Sequence, residues 1–170
     1  MELQARLCIV RSWQYSDRES LVRHANNRNV WINLRDRFPH PYGNYDAERW
    51  LAFVRNRRPE TNFAIAVNEN AVGGIGFALQ EDVHRFTAEI GYWLGEEFWG
   101  KGIATAALRA VTDYAFANFD ICRLFASVFE WNPASCRVLE KAGYSCEGVM
   151  KRSAVKDGKT IDQFLYAITR

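Results

Sequence analysis

A chain of 170 residues, 48% of them apolar, is long enough to bury a sizeable core, and residues 1–170 are expected to form one domain. A formal charge of +2 with no run of Lys or Arg gives no reason to expect a nucleic-acid partner. Cys8, Cys122, Cys136 and Cys146 are scattered, without a Cys-x-x-Cys pair or a His at ligand spacing, so no metal is expected. Reduced thiols, no basic-then-apolar leader and no apolar run near the roughly 18 residues of a membrane helix favour a cytoplasmic protein that engages no membrane.

Residues 7–13 read as a first strand. Ser16, followed three residues later by Glu19, marks a helix start, and Asn26 and Asn27 stop that helix. A short helical piece is expected near residues 30–34. The two prolines of Phe38-Pro-His-Pro-Tyr-Gly43 preclude regular structure. Asp46 is expected to cap a helix through Arg57, with Trp50, Phe53 and Val54 on one face and Pro59 ending it. Residues 63–67 and 72–79 read as a hairpin around Asn68-Glu-Asn70. Gly73, Gly74 and Gly76 in its second strand point to a bulge or a close backbone approach. Residues 86–94 form the next strand and residues 102–119 the longest helix. That helix is apolar along two stripes, Ala104, Leu108, Val111 and Ala115 on one and Ile103, Ala107, Ala110 and Tyr114 on the other, so it should lie buried against a sheet. Residues 122–129 read as a strand, residues 133–142 as a helix stopped by Gly143, and residues 145–155 and 160–168 as a closing hairpin around Lys156-Asp-Gly158. The order is mixed α/β, with about seven strands and one helical crossover.

The most informative stretch runs from Glu89 to Arg109: a strand, a tight turn at Gly100 and Gly102, then the long helix. Without a Cβ those glycines let an anion approach the backbone, and the first amides of the helix have no internal acceptor. The helix dipole adds positive character there, so the turn reads as a phosphate site. A dinucleotide fingerprint fails because its third glycine position is Thr105, and a phosphate-binding P-loop fails because no Lys-Ser/Thr pair follows Gly102. Taken alone, the glycines could equally serve helix packing.

Thirty residues on comes Asn132-Pro-Ala-Ser-Cys-Arg-Val-Leu-Glu-Lys-Ala-Gly-Tyr144. This run, the glycine turn and the strand Glu89-Ile-Gly-Tyr-Trp-Leu94 together resemble the GNAT family of acetyl-CoA-dependent N-acetyltransferases, and most closely its Rim-type branch, which acetylates ribosomal-protein N-terminal amines. The resemblance is best from residue 71 to residue 170. It implies an α/β GNAT fold, a mostly antiparallel central sheet of about seven strands with helices on both faces. The family's turn, Gln/Arg-x-x-Gly-x-Gly/Ala, reads here Trp99-Gly-Lys-Gly-Ile-Ala104, with Trp99 in place of Gln or Arg. By that likeness Trp99, Gly100, Lys101, Gly102, Ile103, Ala104 and the hydroxyl of Thr105 would hold the pyrophosphate of coenzyme A. Trp93 and Leu94 would pair their backbone with its pantetheine arm as if it were an added strand, and Asn132 would bond the arm from the other side. Many family members carry a Tyr seven residues after this Asn as acid for the leaving thiol. Leu139 stands there, and Ser135 is the replacement chosen.

Positioning is expected to supply the largest share of catalysis, roughly 7–11 kcal/mol. The slot would lie between the strands at 89–94 and 122–129, with a backbone amide near Leu94 facing the developing oxyanion. Glu89 is the favoured base, since partial burial would raise its pKa; the rival reading makes it a rim carboxylate that orients the ammonium through water. Asp162 and His84 are further candidates. Cys136, one turn into a helix, offers a covalent route, but no His is near it in sequence. Trp31, Phe38, Tyr42 and Tyr45 either cap the sheet or wall the acceptor pocket, and Arg35, Asp36 and Arg37 either read acceptor charges or are merely solvated. The expected partner is therefore a small-molecule or peptide amine, with a homodimer left open. A coenzyme A-binding sensor or assembly module without catalysis is the alternative.

Overall fold

Residues 1–170 are described by a computed structural model. Its strands are β1 (Glu2–Ala5), β2 (Cys8–Arg11), β3 (Asn62–Val67), β4 (Asn70–Leu79), β5 (Thr87–Leu94), β6 (Arg123–Phe129), β7 (Ser145–Lys156) and β8 (Lys159–Thr169). They form one sheet in the order β1-β2-β3-β4-β5-β6-β8-β7, with β5 and β6 its one parallel pair. The helices are α1 (Arg18–Ala25), α2 (Arg28–Trp31), α3 (Asn44–Asn56), α4 (Ile103–Asn118) and α5 (Pro133–Lys141). No helix is long and apolar enough to cross a membrane.

The sheet separates two cores. The larger gathers Val10, Phe63, Ile65, Ile90 and Leu94 with Leu108, Val111 and Ala115 of α4 and Leu139 of α5. The smaller sets Trp13 and Ala64 against Leu21 and Ala25 of α1 and Leu51 and Val54 of α3. Of the apolar stripes of α4, Ile103, Ala107, Leu108, Val111 and Ala115 are buried, while Ala104, Ala110 and Tyr114 are only half-buried. That burial fixes the helix and therefore its N-terminus.

The sheet has eight strands where about seven were expected. The segment around residues 7–13 is the second half of a hairpin, with β1 pairing Glu2↔Arg11 through Ala5↔Cys8. Leu3 and Ala5 pack on the core while Glu2 and Gln4 face solvent, an alternation too short to stand out in the sequence. Two helix starts also differ from expectation. Asp17, not Ser16, accepts the Gln14 amide at 2.8 Å ahead of α1. Asp46 is not the cap of α3 but reaches back to the Gly43 amide at 2.9 Å. Asn27, expected only to stop α1, also starts α2 by accepting from the amides of Asn29 and Val30.

Two strand details create the site. A Cβ on Gly73 would lie 2.4 Å from the Trp93 carbonyl oxygen and one on Gly74 2.7 Å from the Trp93 indole nitrogen. The glycines of β4 therefore mark close approach to β5, and the register shift lies on the other side of β4, at Ile65/Ala66 of β3. β5 and β6 pair only over Thr87↔Arg123, Ala88↔Leu124 and Glu89↔Phe125. Beyond Glu89 the two strands part, and the slot opens there.

Candidate active site

The glycine turn delivers α4 to the open end of that slot. Gly100 and Gly102 have φ of +74° and +78°, a backbone that side chains rarely adopt. No amide from Gly100 to Thr105 donates to a protein acceptor; the first that does is Ala106, to the Gly102 carbonyl at 3.1 Å. A Cβ on Gly100 would meet nothing within 4 Å, so the cradle is open to a ligand. Lys101 lies beside it, its ammonium 5.2 Å from the Phe98 ring centroid. Unpartnered amides, a helix N-terminus and one flexible cation suit a diphosphate. Trp99 contributes differently from Gln or Arg: its indole N–H donates to the Leu94 carbonyl at 2.7 Å and ties the turn to the end of β5.

Strand geometry assigns the rest of β5. The Gly95 amide donates to Val72 and the Gln80 amide to the Thr87 carbonyl, so the odd-numbered residues exchange hydrogen bonds with β4. Trp93 therefore has its backbone in that ladder. Tyr92 and Leu94 turn theirs toward the gap, and since Trp99 occupies the Leu94 carbonyl, the Leu94 amide is what that residue offers. Side chains alternate too. Ala88, Ile90 and Leu94 join the larger core. Glu89, Gly91 and Trp93 face the side of α1 and α3.

Across the gap, Asn132 accepts the Ser135 amide at 3.1 Å with Oδ1 and so caps α5, leaving its Nδ2 without a partner. The Ser135 hydroxyl lies 2.8 Å from the Tyr92 hydroxyl, which also reaches the Ser135 carbonyl at 3.2 Å. Burial pushes the Tyr92 phenol well above its usual value, against the smaller lowering effect of its bond to Ser135, so it stays protonated. Leu139 is fully buried in the core. α5 carries no phenol, and the one beside Ser135 comes from β5. Sequence reading missed Tyr92 because its partner is distant in the chain; its place in the gap-facing set of β5 was the available signal.

On the opposite face, Glu89 forms an ion pair with Arg35 from the loop after α2, and its side chain is 21% exposed. Gly91 leaves the space beside it open, with nothing within 4 Å of an added Cβ. Phe38 packs on Trp93 at 5.5 Å and on Tyr42 at 5.0 Å. Trp31 stacks on His40 and carries the buried ammonium of Lys156 3.7 Å over its ring. Lys156 also bonds Asp36 at 2.8 Å, and Arg28 bonds Asp157 at 2.8 Å, so the loop is tied to the β7–β8 hairpin. Tyr42 belongs to the smaller core and Tyr45 lies exposed on α3, outside the mouth.

The other candidates are placed elsewhere or held. Asp162 binds Lys151 at 2.7 Å and accepts the Arg152 amide, both of which hold its carboxyl below the usual range. His84 sits in an exposed turn before β5, at the end where the strands remain paired. Cys136 is buried and burial raises its thiol, which opposes the thiolate a covalent route needs.

One sheet, an anion cradle at a buried helix and a gap beside a parallel pair define a class of ligand-holding α/β domain. Residues 6–145 match the acetyltransferase (GNAT) domain model, and the chain belongs to that family. It is 36% identical over 99 residues, 58% of the chain and 55% of the relative, to the uncharacterized N-acetyltransferase YoaA of Bacillus subtilis. It is 32% identical over 105 residues, 62% of the chain and 58% of the relative, to the ribosomal-protein-serine acetyltransferase of Escherichia coli. These alignments span little more than half the length of either relative. The solved structure of Mycobacterium smegmatis RimJ in complex with CoA-disulfide superimposes with a TM-score of 0.84 at 26% identity, covering 99% of this chain and 86% of that one.

Proposed function

We propose that this chain is an acetyl-CoA-dependent N-acetyltransferase that acetylates a primary amine by direct attack. The observation that carries the reading is the row of unpartnered amides from Gly100 to Thr105 opening where β5 and β6 part. Bound acetyl-CoA supplies the activated thioester. The amides and Lys101 hold the diphosphate, as the family resemblance implies. The gap-facing backbone of Tyr92 and the free Nδ2 of Asn132 line the arm, which modifies the expectation for Trp93 and Leu94. Trp93 supports the acceptor wall with its ring instead. The Leu94 amide points to where oxyanion charge develops.

Glu89 takes the proton of the acceptor ammonium, directly or through water, once the acceptor has displaced Arg35 from it. Ser135, held by Tyr92, presents a hydroxyl proton on the leaving-group side. The acceptor is a protein N-terminal amine or a small-molecule amine, and the relatives named for ribosomal-protein acetylation support the former. The test is thiol release across an amine panel, alongside calorimetry with coenzyme A. Amine-dependent release supports the reading. Tight coenzyme A binding with no release from any amine makes the chain a sensor or assembly module, and no binding at all removes both.

A further inference from the structure

We propose that Arg35 makes the acceptor site selective for an amine that carries a carboxylate a few bonds away, as a free α-amino acid or an acidic peptide N-terminus does. The inference rests on Glu89 being the acceptor-side carboxylate of the proposed transferase. Of the cations on α2, the loop after it and the β7–β8 hairpin, Lys156 and Arg28 are committed to structure. Lys156 is only 1% exposed, bonded to Asp36 and seated on Trp31. Arg28 is paired with Asp157 on the hairpin. Arg35 is 55% exposed, and Glu89 is its one side-chain partner. Arg35 is thus held by the group that must receive the ammonium.

An incoming plain amine meets this pair as a second cation on a single carboxylate. It either stays beside the guanidinium or leaves that guanidinium without a partner. An amine with its own carboxylate exchanges partners instead. Its ammonium takes Glu89, its carboxylate takes the planar fork of Arg35, and every charge stays paired. Gly91, two residues along β5 on the same face as Glu89, leaves open space there, with nothing within 4 Å of an added Cβ. Asp36 cannot supply the missing anion, because Lys156 holds it. Arg37 forms no ion pair, yet it has no contact with Glu89 either. A polyamine fits this mouth poorly on the same ground.

The test compares kcat/KM for thiol release with alanine, alaninamide and ethylamine, and with two peptides differing only in Asp or Asn at the second residue. The wild-type chain should prefer the carboxylate member at least tenfold, and which pair shows it, amino acid or peptide, identifies the source. Arg35→Ala should collapse that ratio toward one through KM, and Arg35→Lys should restore part of it. Calorimetry of alanine and alaninamide with coenzyme A present reads the same preference without turnover, so a catalytically silent chain still answers. Equal wild-type affinities and rates for the charged and uncharged members, or a ratio that survives Arg35→Ala, overturns the proposal. Amine-independent silence together with a binding preference overturns the transferase reading alone.

Discussion

The two sides of the slot are built from different materials. The side proposed for the cofactor is centred on backbone, a short run of unpartnered amides and two left-handed glycines within residues 99–105. The acceptor side is side chains drawn from across the chain, with Arg35 meeting Glu89 54 residues away and Lys156 meeting Asp36 120 residues away. A backbone cradle depends on the placement of one buried helix and tolerates wide change in its neighbours. A side-chain mouth can be respecified by one substitution. The comparison makes the cofactor grip general and the acceptor preference particular.

Substitutions that separate the two sides test this directly, beginning with the largest effect. Gly102→Trp forces a side chain onto a φ of +78°, with its Cβ 3.3 Å from Leu7, and fills the space beside the amides. Coenzyme A affinity in calorimetry should fall at least about 100-fold, with some loss of thermal stability from the strained backbone. Glu89→Gln should lower kcat about 100-fold, the low end of general-base effects, while leaving coenzyme A affinity within about twofold. A rate on Glu89→Gln equal to wild type from pH 6 to 9 would remove that residue from the mechanism.

Smaller effects sharpen the boundary. Tyr92→Phe and Ser135→Ala should each lower kcat about tenfold, and the double variant should lose little more, because the two hydroxyls act as one unit. Additive losses would separate their roles. Lys156→Met removes the tie between the Asp36 loop and the hairpin while leaving Asp36 exposed to water. It should raise the acceptor KM severalfold without changing coenzyme A affinity. The smallest effect concerns His24, which packs against Gly95 and the Phe98 ring just before the cradle. Burial lowers its pKa below the usual value, against a smaller raising effect from Glu97. The unfolded chain therefore binds this proton first, and stability should decline as pH falls below about 6.5. Melting scans from pH 7.5 to 5.5 should show a shallower decline in His24→Gln.

What could be read from the sequence follows the same division. The strand, turn and helix from Glu89 onward are legible because hydrophobic period, glycine position and orphan amides are local properties. The element order is legible for the same reason. The β1–β2 hairpin was hidden because four residues of alternation carry little signal, and Asp17 outcompeted Ser16 because Arg11 of β2 anchors it with bonds of 2.7 and 2.8 Å. Arg35 stood among charges with no visible partner, since only the folded chain brings it to Glu89. Tyr92 lies inside the strand motif Glu89-Ile-Gly-Tyr-Trp-Leu94, but its contact with Ser135 is tertiary.

The diphosphate grip is tested most directly by comparing coenzyme A with pantetheine in calorimetry on the unmodified chain. The account predicts that pantetheine, which keeps the arm but lacks the diphosphate and the 3′-phosphoadenosine beyond it, binds at least about 100-fold more weakly, and that Gly102→Trp removes most of that difference. Equal affinities would contradict it, since the amides ahead of α4 would then hold nothing.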